Sequence, residues 1–102
     1  MLSIITPALN EEKYLPLLFQ SIKKQNLQDF EMFIADAGSA DKTVEIAKEN
    51  NCKVIQGGLP AKGRNEGAKV ARGDLLFFLD ADTVLPDDFF KKALKEFRER
   101  NL

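Results

Sequence analysis

Asp80 and Asp82 stand one residue apart, directly after the longest apolar run of the chain, 75-LLFFL-79. In an extended segment residues i and i+2 point to the same side, so both carboxylates can face one ligand. Two like charges that close raise each other's pKa unless a cation or several donors compensate. A hard divalent ion bridging to phosphate oxygens would compensate, because Mg²⁺ is usually held by one or two carboxylates plus substrate phosphates. The same spacing also fits a plain turn in which Asp82 or Thr83 leads into a final helix. The pair alone does not decide between these readings. Asp87 and Asp88, next to Pro86, are fully explained as acids in the first turn of that helix.

Composition narrows the chemistry. The 102 residues contain no histidine and one cysteine, Cys52. This excludes Ser-His-Asp and Cys-His nucleophile systems, an internal disulfide and His- or Cys-ligated zinc, so any metal must be oxygen-bound, as Mg²⁺ or Mn²⁺ would be. The net charge of −1 gives no reason to expect nucleic acid as a partner. No apolar run approaches the length of a membrane span, and 1-MLSIITP-7 lacks the basic region of a signal peptide, so the expected compartment is the cytoplasm.

Short apolar runs alternate with segments of helical period. Strands are predicted at 2–6, 30–35, 52–56 and 74–79, the last buried on both faces. The first helix is expected to start at an Asn10 N-cap, with Glu11 and Glu12 in its first turn and Leu15, Leu18, Phe19 and Ile22 on its apolar stripe. Ser39 or Asp41 caps the second helix, which ends at Asn50-Asn51. Residues 57–63 read as a loop, 64–72 as the third helix, and Pro86 as the first position of the fourth. Four βα units of this kind predict one domain, a three-layer α/β sandwich with a parallel sheet in the order 3-2-1-4 and right-handed crossovers.

Ligands of open parallel sheets bind at the carboxyl ends of the strands. The segments that follow the strands are 7-PALNEE-12, 36-DAGSAD-41, 57-GGLPAKGRNEG-67 and 80-DADT-83, so every polar cluster falls on one sheet edge. Lys62 and Arg64 read as lying at a helix N-terminus, where anions are favoured. Asp36 can accept a hydrogen bond from a base or sugar, or form an Asx turn into Gly38.

Taken in order, these loops resemble the nucleotide-binding half of family 2 glycosyltransferases, which have the GT-A fold. The family's Pro-x-x-Asn-Glu stretch corresponds to 7-PALNE-11, and its D-D-G-S-x-D-x-T turn to 36-DAGSADKT-43. Its A-R-N-x-G-x-x-x-A-x-G-(D/E) segment corresponds to 63-GRNEGAKVARGD-74, and F-L-D-x-D to 78-FLDAD-82. Ala37 departs from the second acid of the usual pair, and Gly63 from a common alanine. The resemblance implies that residues 1–102 form a nucleotide-sugar-binding domain. Pro7, Ala8, Asn10, Glu11 and Asp36 would cradle the base and ribose of a UDP-sugar or similar donor, and Arg64 would approach the base or diphosphate. Asp80 and Ala81 would line the ribose side, and Asp82 would hold Mn²⁺ or Mg²⁺. It implies no catalytic base in this chain, because the family carries that group in an acceptor-binding half beyond the D-x-D. A non-catalytic nucleotide-binding module is the alternative. A second resemblance, of FFLDADTV to the first motif of haloacid-dehalogenase-like phosphatases, leaves the other three loops unexplained. An unpaired fourth-strand edge would be an association liability, so a homo-oligomer that covers it is expected.

Overall fold

A computed structural model describes residues 1–100. Strand β1 (Leu2–Ala8) is flanked by β2 (Phe30–Asp36) and β4 (Leu75–Phe78), and β3 (Lys53–Gln56) pairs outside β2. All three pairings are parallel and the order is 3-2-1-4, as the alternation predicts. Residues Leu2, Ile4 and Ala8 of β1 and Met32 and Ile34 of β2 point to one face. There they meet helix α1 (Leu15–Lys23), helix α2 (Thr43–Glu49) and Phe90 of helix α4 (Phe89–Glu99). Helix α3 (Pro60–Val70) covers the opposite face, over β1, β2 and β3. Its buried positions are Gly63 and Gly67, which let its backbone lie directly on Pro7, Ala35 and Ile5.

β1 runs two residues further than its apolar run indicates, through Pro7. Proline can stay in the central strand because of where its missing N–H would point. Odd residues of β1 bond towards β4, as Ile5 does in accepting from Leu79 N–H at 3.1 Å. The β4 pairing stops at Ile5↔Phe78, so at Pro7 no ladder bond is lost.

Four expectations are corrected. β4 is not buried on both faces: α3 stops short of it, and Leu76 and Phe78 remain 40% and 47% exposed. Apolar composition reports that a strand can be buried, not which neighbour covers it. Helix α1 starts at Leu15, because Asn10 takes a left-handed conformation (φ 54°) and a turn intervenes before Tyr14. Helix α3 starts at Pro60, with proline in its first turn, so Arg64 is mid-helix and neither it nor Lys62 precedes the helix N-terminus. The fourth helix starts at Phe89 rather than Pro86, after Asp88 in the left-handed region (φ 58°). The acids Asp87 and Asp88 therefore precede its first turn.

At the amino edge of the sheet a buried carboxylate holds several segments together. Glu31 accepts hydrogen bonds from the Ser3 hydroxyl (2.7 Å), Arg72 N–H (2.6 Å) and Lys53 Nζ (2.9 Å). Burial alone would raise its pKa, but the bonds from Ser3, Arg72 and Lys53 outweigh that and hold it down to about 2. A lowered folded pKa stabilises the chain above the unfolded value near 4.5 and loses that contribution as pH falls from there towards 2. Urea melts between pH 6 and 2.5 should show this acid-side loss. Glu31→Gln should be less stable at pH 6, by on the order of 3 kcal/mol, and should show a flatter acid limb.

Candidate functional site

A cleft of about 590 Å³ opens at the carboxyl edge of the sheet. The end of β1 supplies Pro7, Ala8, Leu9 and Glu11; the segment after β4 supplies Asp80, Ala81 and Asp82. Ala37 lies on one side, with Gly58, Leu59 and Pro60 from the start of α3. β1 is where the chain's winding reverses, since β2 and β3 lie to one side of it and β4 to the other. Ligands of doubly wound sheets bind at such a switch point.

A turn after β4 carries the acids. Leu79 and Ala81 are buried, whereas Asp80 and Asp82 are exposed on the cleft side. Asp80 to Thr83 form this turn, closed by Thr83 N–H donating to the Asp80 carbonyl (3.1 Å), so the acids lie in a turn rather than in the extended segment expected, and both still line the cleft. Glu11 enters from the other wall. Burial raises its pKa first, and the charges of Asp82 and Asp41 raise it further. The wall is therefore acidic, and a bare phosphate would be repelled from it.

The cleft offers carboxylate oxygens, the donor type of Mg²⁺ and Mn²⁺. Among the described residues no group of three or more His, Cys, Asp or Glu side chains could enclose a metal ion. An ion at Asp82 would keep open positions for water and phosphate oxygens, which is the usual manner of Mg²⁺ in phosphate-handling sites.

The expected site residues divide in two. Pro7, Ala8, Glu11, Asp80, Ala81 and Asp82 line the cleft; Asn10, Asp36 and Arg64 do not. Asp36 forms the Asx turn: its carboxylate accepts Gly38 N–H (3.0 Å), Ser39 N–H (2.9 Å) and the Ser39 hydroxyl. It borders a neighbouring groove of about 420 Å³ that shares Ala37 with the cleft. Asn10 Oδ1 accepts Ala40 N–H at 2.8 Å. Arg64 is half-buried on α3. The expected site residues did not include Leu9, Ala37, Gly58, Leu59 and Pro60 on the wall. Leu59 is 82% exposed, and such a leucine inside a Gly-Pro loop was the available signal.

The match to known proteins is extensive. The model of glycosyl transferase family 2 matches residues 3–102. The chain belongs to glycosyl transferase family 2. An uncharacterized glycosyltransferase of Haemophilus influenzae is 35% identical over 112 aligned positions, covering 100% of this chain and 44% of that protein. The crystal structure of Staphylococcus aureus TarS 1-349 in complex with UDP superposes with a TM-score of 0.83 at 31% identity, over 98% of this chain and 32% of that one. Glucosyl-3-phosphoglycerate synthase of Mycobacterium tuberculosis was solved with Mn²⁺, UDP and glucosyl-3-phosphoglycerate. It superposes with a TM-score of 0.76 at 25% identity, over 96% of this chain and 39% of that one. The fold of this family 2 chain is thus part of a GT-A sheet, and the chain spans less than half the length of these relatives. No helix among the described residues is long and apolar enough to cross a membrane.

Proposed function

We propose that the cleft binds a nucleoside-diphosphate sugar, a UDP-sugar or similar, for glycosyl transfer to an acceptor hydroxyl. The observation that carries this reading is the presentation of Asp80 and Asp82, with Glu11 opposite, in one cleft at the β1/β4 switch point. The UDP of the TarS structure and the UDP and Mn²⁺ of the synthase structure support it by similarity.

In this reading Pro7 and Ala8 form the apolar floor under base and ribose, and Asp80 and Ala81 contact the ribose side. A nucleotide extending past Ala37 would enter the second groove, where Asp36 and Gly38 lie. Asn10 and Glu11 complete the first loop, and Arg64 approaches from α3. Asp82 would hold Mn²⁺ or Mg²⁺, which as a Lewis acid stabilises a leaving diphosphate. No residue of this chain is assigned as the base that deprotonates the acceptor; residues 1–102 are the donor-binding domain. The proposed compartment is the cytoplasm, where a lone thiol such as Cys52 stays reduced.

UDP release from a panel of UDP-sugars, with Mn²⁺ and water or sugar acceptors, tests the reading. Donor binding with release supports a transferase; donor binding without release makes the chain a nucleotide-binding module. The same proposal includes self-association through β4, whose outer edge pairs with no strand among the described residues and whose Leu76 and Phe78 are half-exposed. Light scattering is expected to give at least a dimer mass; a monodisperse monomer of the folded chain would overturn it.

A further inference from the structure

Three side chains of the second loop are turned to the backbone of the first. Ser39 Oγ accepts Asn10 N–H at 2.9 Å, Thr43 Oγ1 accepts Glu11 N–H at 2.8 Å, and Asp41 Oδ2 accepts Glu12 N–H at 3.2 Å. Three successive amides of the first loop thus end on three alternate side chains of the second. Asn10 returns the bond through its side chain to Ala40 N–H. Thr43 is the best-shielded member, with no exposure, and its hydroxyl donates onward to the Asp41 carboxylate. Asp41 is fixed in turn by Thr43 N–H (2.9 Å). The bracket is needed because Asn10 leaves β1 in a left-handed conformation that offers these amides no helical partners. What it holds is the Leu9–Glu11 wall of the cleft.

We propose that Thr43, supported by Ser39 and Asp41, is a positioning residue for donor binding: its hydroxyl sets the first loop against the Asp80–Asp82 wall without itself touching the donor. This rests on the donor-site reading above. The role explains why a serine, an acid and a threonine recur at every second position from 39 to 43, where a turn alone would need only Asp36 and Gly38. Thr43→Val keeps the shape and removes the acceptor, leaving the Glu11 amide unpaired.

The test measures UDP affinity with Mn²⁺ by calorimetry, and amide hydrogen exchange of residues 10–12, in four chains: the parent, Thr43→Val, Thr43→Ser and Ile22→Val. Ile22 is buried in the core on α1 and is not on the cleft wall, so its variant controls for lost stability. Thr43→Val is expected to bind UDP about tenfold more weakly, with faster exchange at Glu11. Thr43→Ser should stay within about twofold of the parent. Ile22→Val should lower the melting temperature and leave both readouts unchanged. Parent-like affinity and exchange in Thr43→Val, or an equal loss of affinity in Ile22→Val, would overturn the proposal. If the parent itself binds no UDP, the donor-site reading fails. The bracket is then still judged by exchange: fast Glu11 exchange in Thr43→Val but not in Thr43→Ser supports it, and unchanged exchange overturns it.

Discussion

Asp82→Asn is expected to weaken UDP binding in Mn²⁺ by on the order of a hundredfold, about 2.7 kcal/mol, while leaving the chain as stable as the parent or slightly more so. The two halves of this expectation have separate causes. Asp82 presents its carboxylate to a cleft whose other acids, Glu11 and Asp80, do not form an enclosing cage, so little else could hold the cation against a diphosphate. Removing that charge also removes a repulsion, since Asp82 is one of the causes that raise the pKa of Glu11. The Glu11 pKa should therefore move down towards the ordinary range, a change that carboxyl-carbon NMR can follow. Calorimetry with and without Mn²⁺ gives the affinity. Asp87→Asn, exposed and off the cleft wall, should bind like the parent. Equal affinity in Asp82→Asn and the parent would remove Asp82 from the site.

Gly67→Ala is expected to destabilise the chain severely, against the sign of helix propensity. In an open helix interior this substitution stabilises by up to about 1 kcal/mol. Here a Cβ would stand 2.4 Å from Ile5 Cγ2 and 3.0 Å from Ile5 Cγ1. Ile5 is fully buried, and its β-branched side chain has few rotamers to escape into. Relief requires α3 to lift from the sheet, so a net loss of roughly 2–3 kcal/mol is expected, or roughly 10–20 °C in melting temperature. Gly63→Ala makes the contrast within the same helix. Its Cβ would meet Ala35 Cβ and Pro7 Cβ at 3.2 Å, a gap that a shift of a few tenths of an ångström relieves. That variant should lie within about 1 kcal/mol of the parent. Thermal melts of the two variants side by side check both; similar behaviour would mean that helix α3 does not lie on β1 as described.

The contrast between these glycines also shows what the sequence made legible. Four apolar runs and their order were readable because buried parallel strands need little more than composition. That Asp80 and Asp82 follow the last strand was readable from the apolar run before them, but they lie in a turn rather than in the extended segment expected. Gly63 read as loop because glycine serves turns and close packing alike, and only the contact with Ala35 and Pro7 tells which. The start of α3 was therefore placed four residues late, which moved Arg64 from mid-helix to a helix N-terminus. Asn10 failed for a similar reason. An asparagine before two glutamates is a good N-cap, but its partners here are Ser39 and Ala40, 29 and 30 residues away. Local propensity has no access to a bond of that span. Leu76 and Phe78 belong to the same class, because their exposure depends on how far α3 reaches across the sheet.

The central claim is that a cation at Asp82 joins this chain to a nucleoside diphosphate. Crystals soaked with UDP and Mn²⁺ and measured at the manganese absorption edge test it most directly. The expected result is an anomalous peak about 2.1 Å from an Asp82 carboxylate oxygen, in contact with density for the diphosphate between the ends of β1 and β4. Manganese elsewhere, UDP bound in the cleft with no peak at Asp82, or an empty cleft at saturating ligand would contradict it.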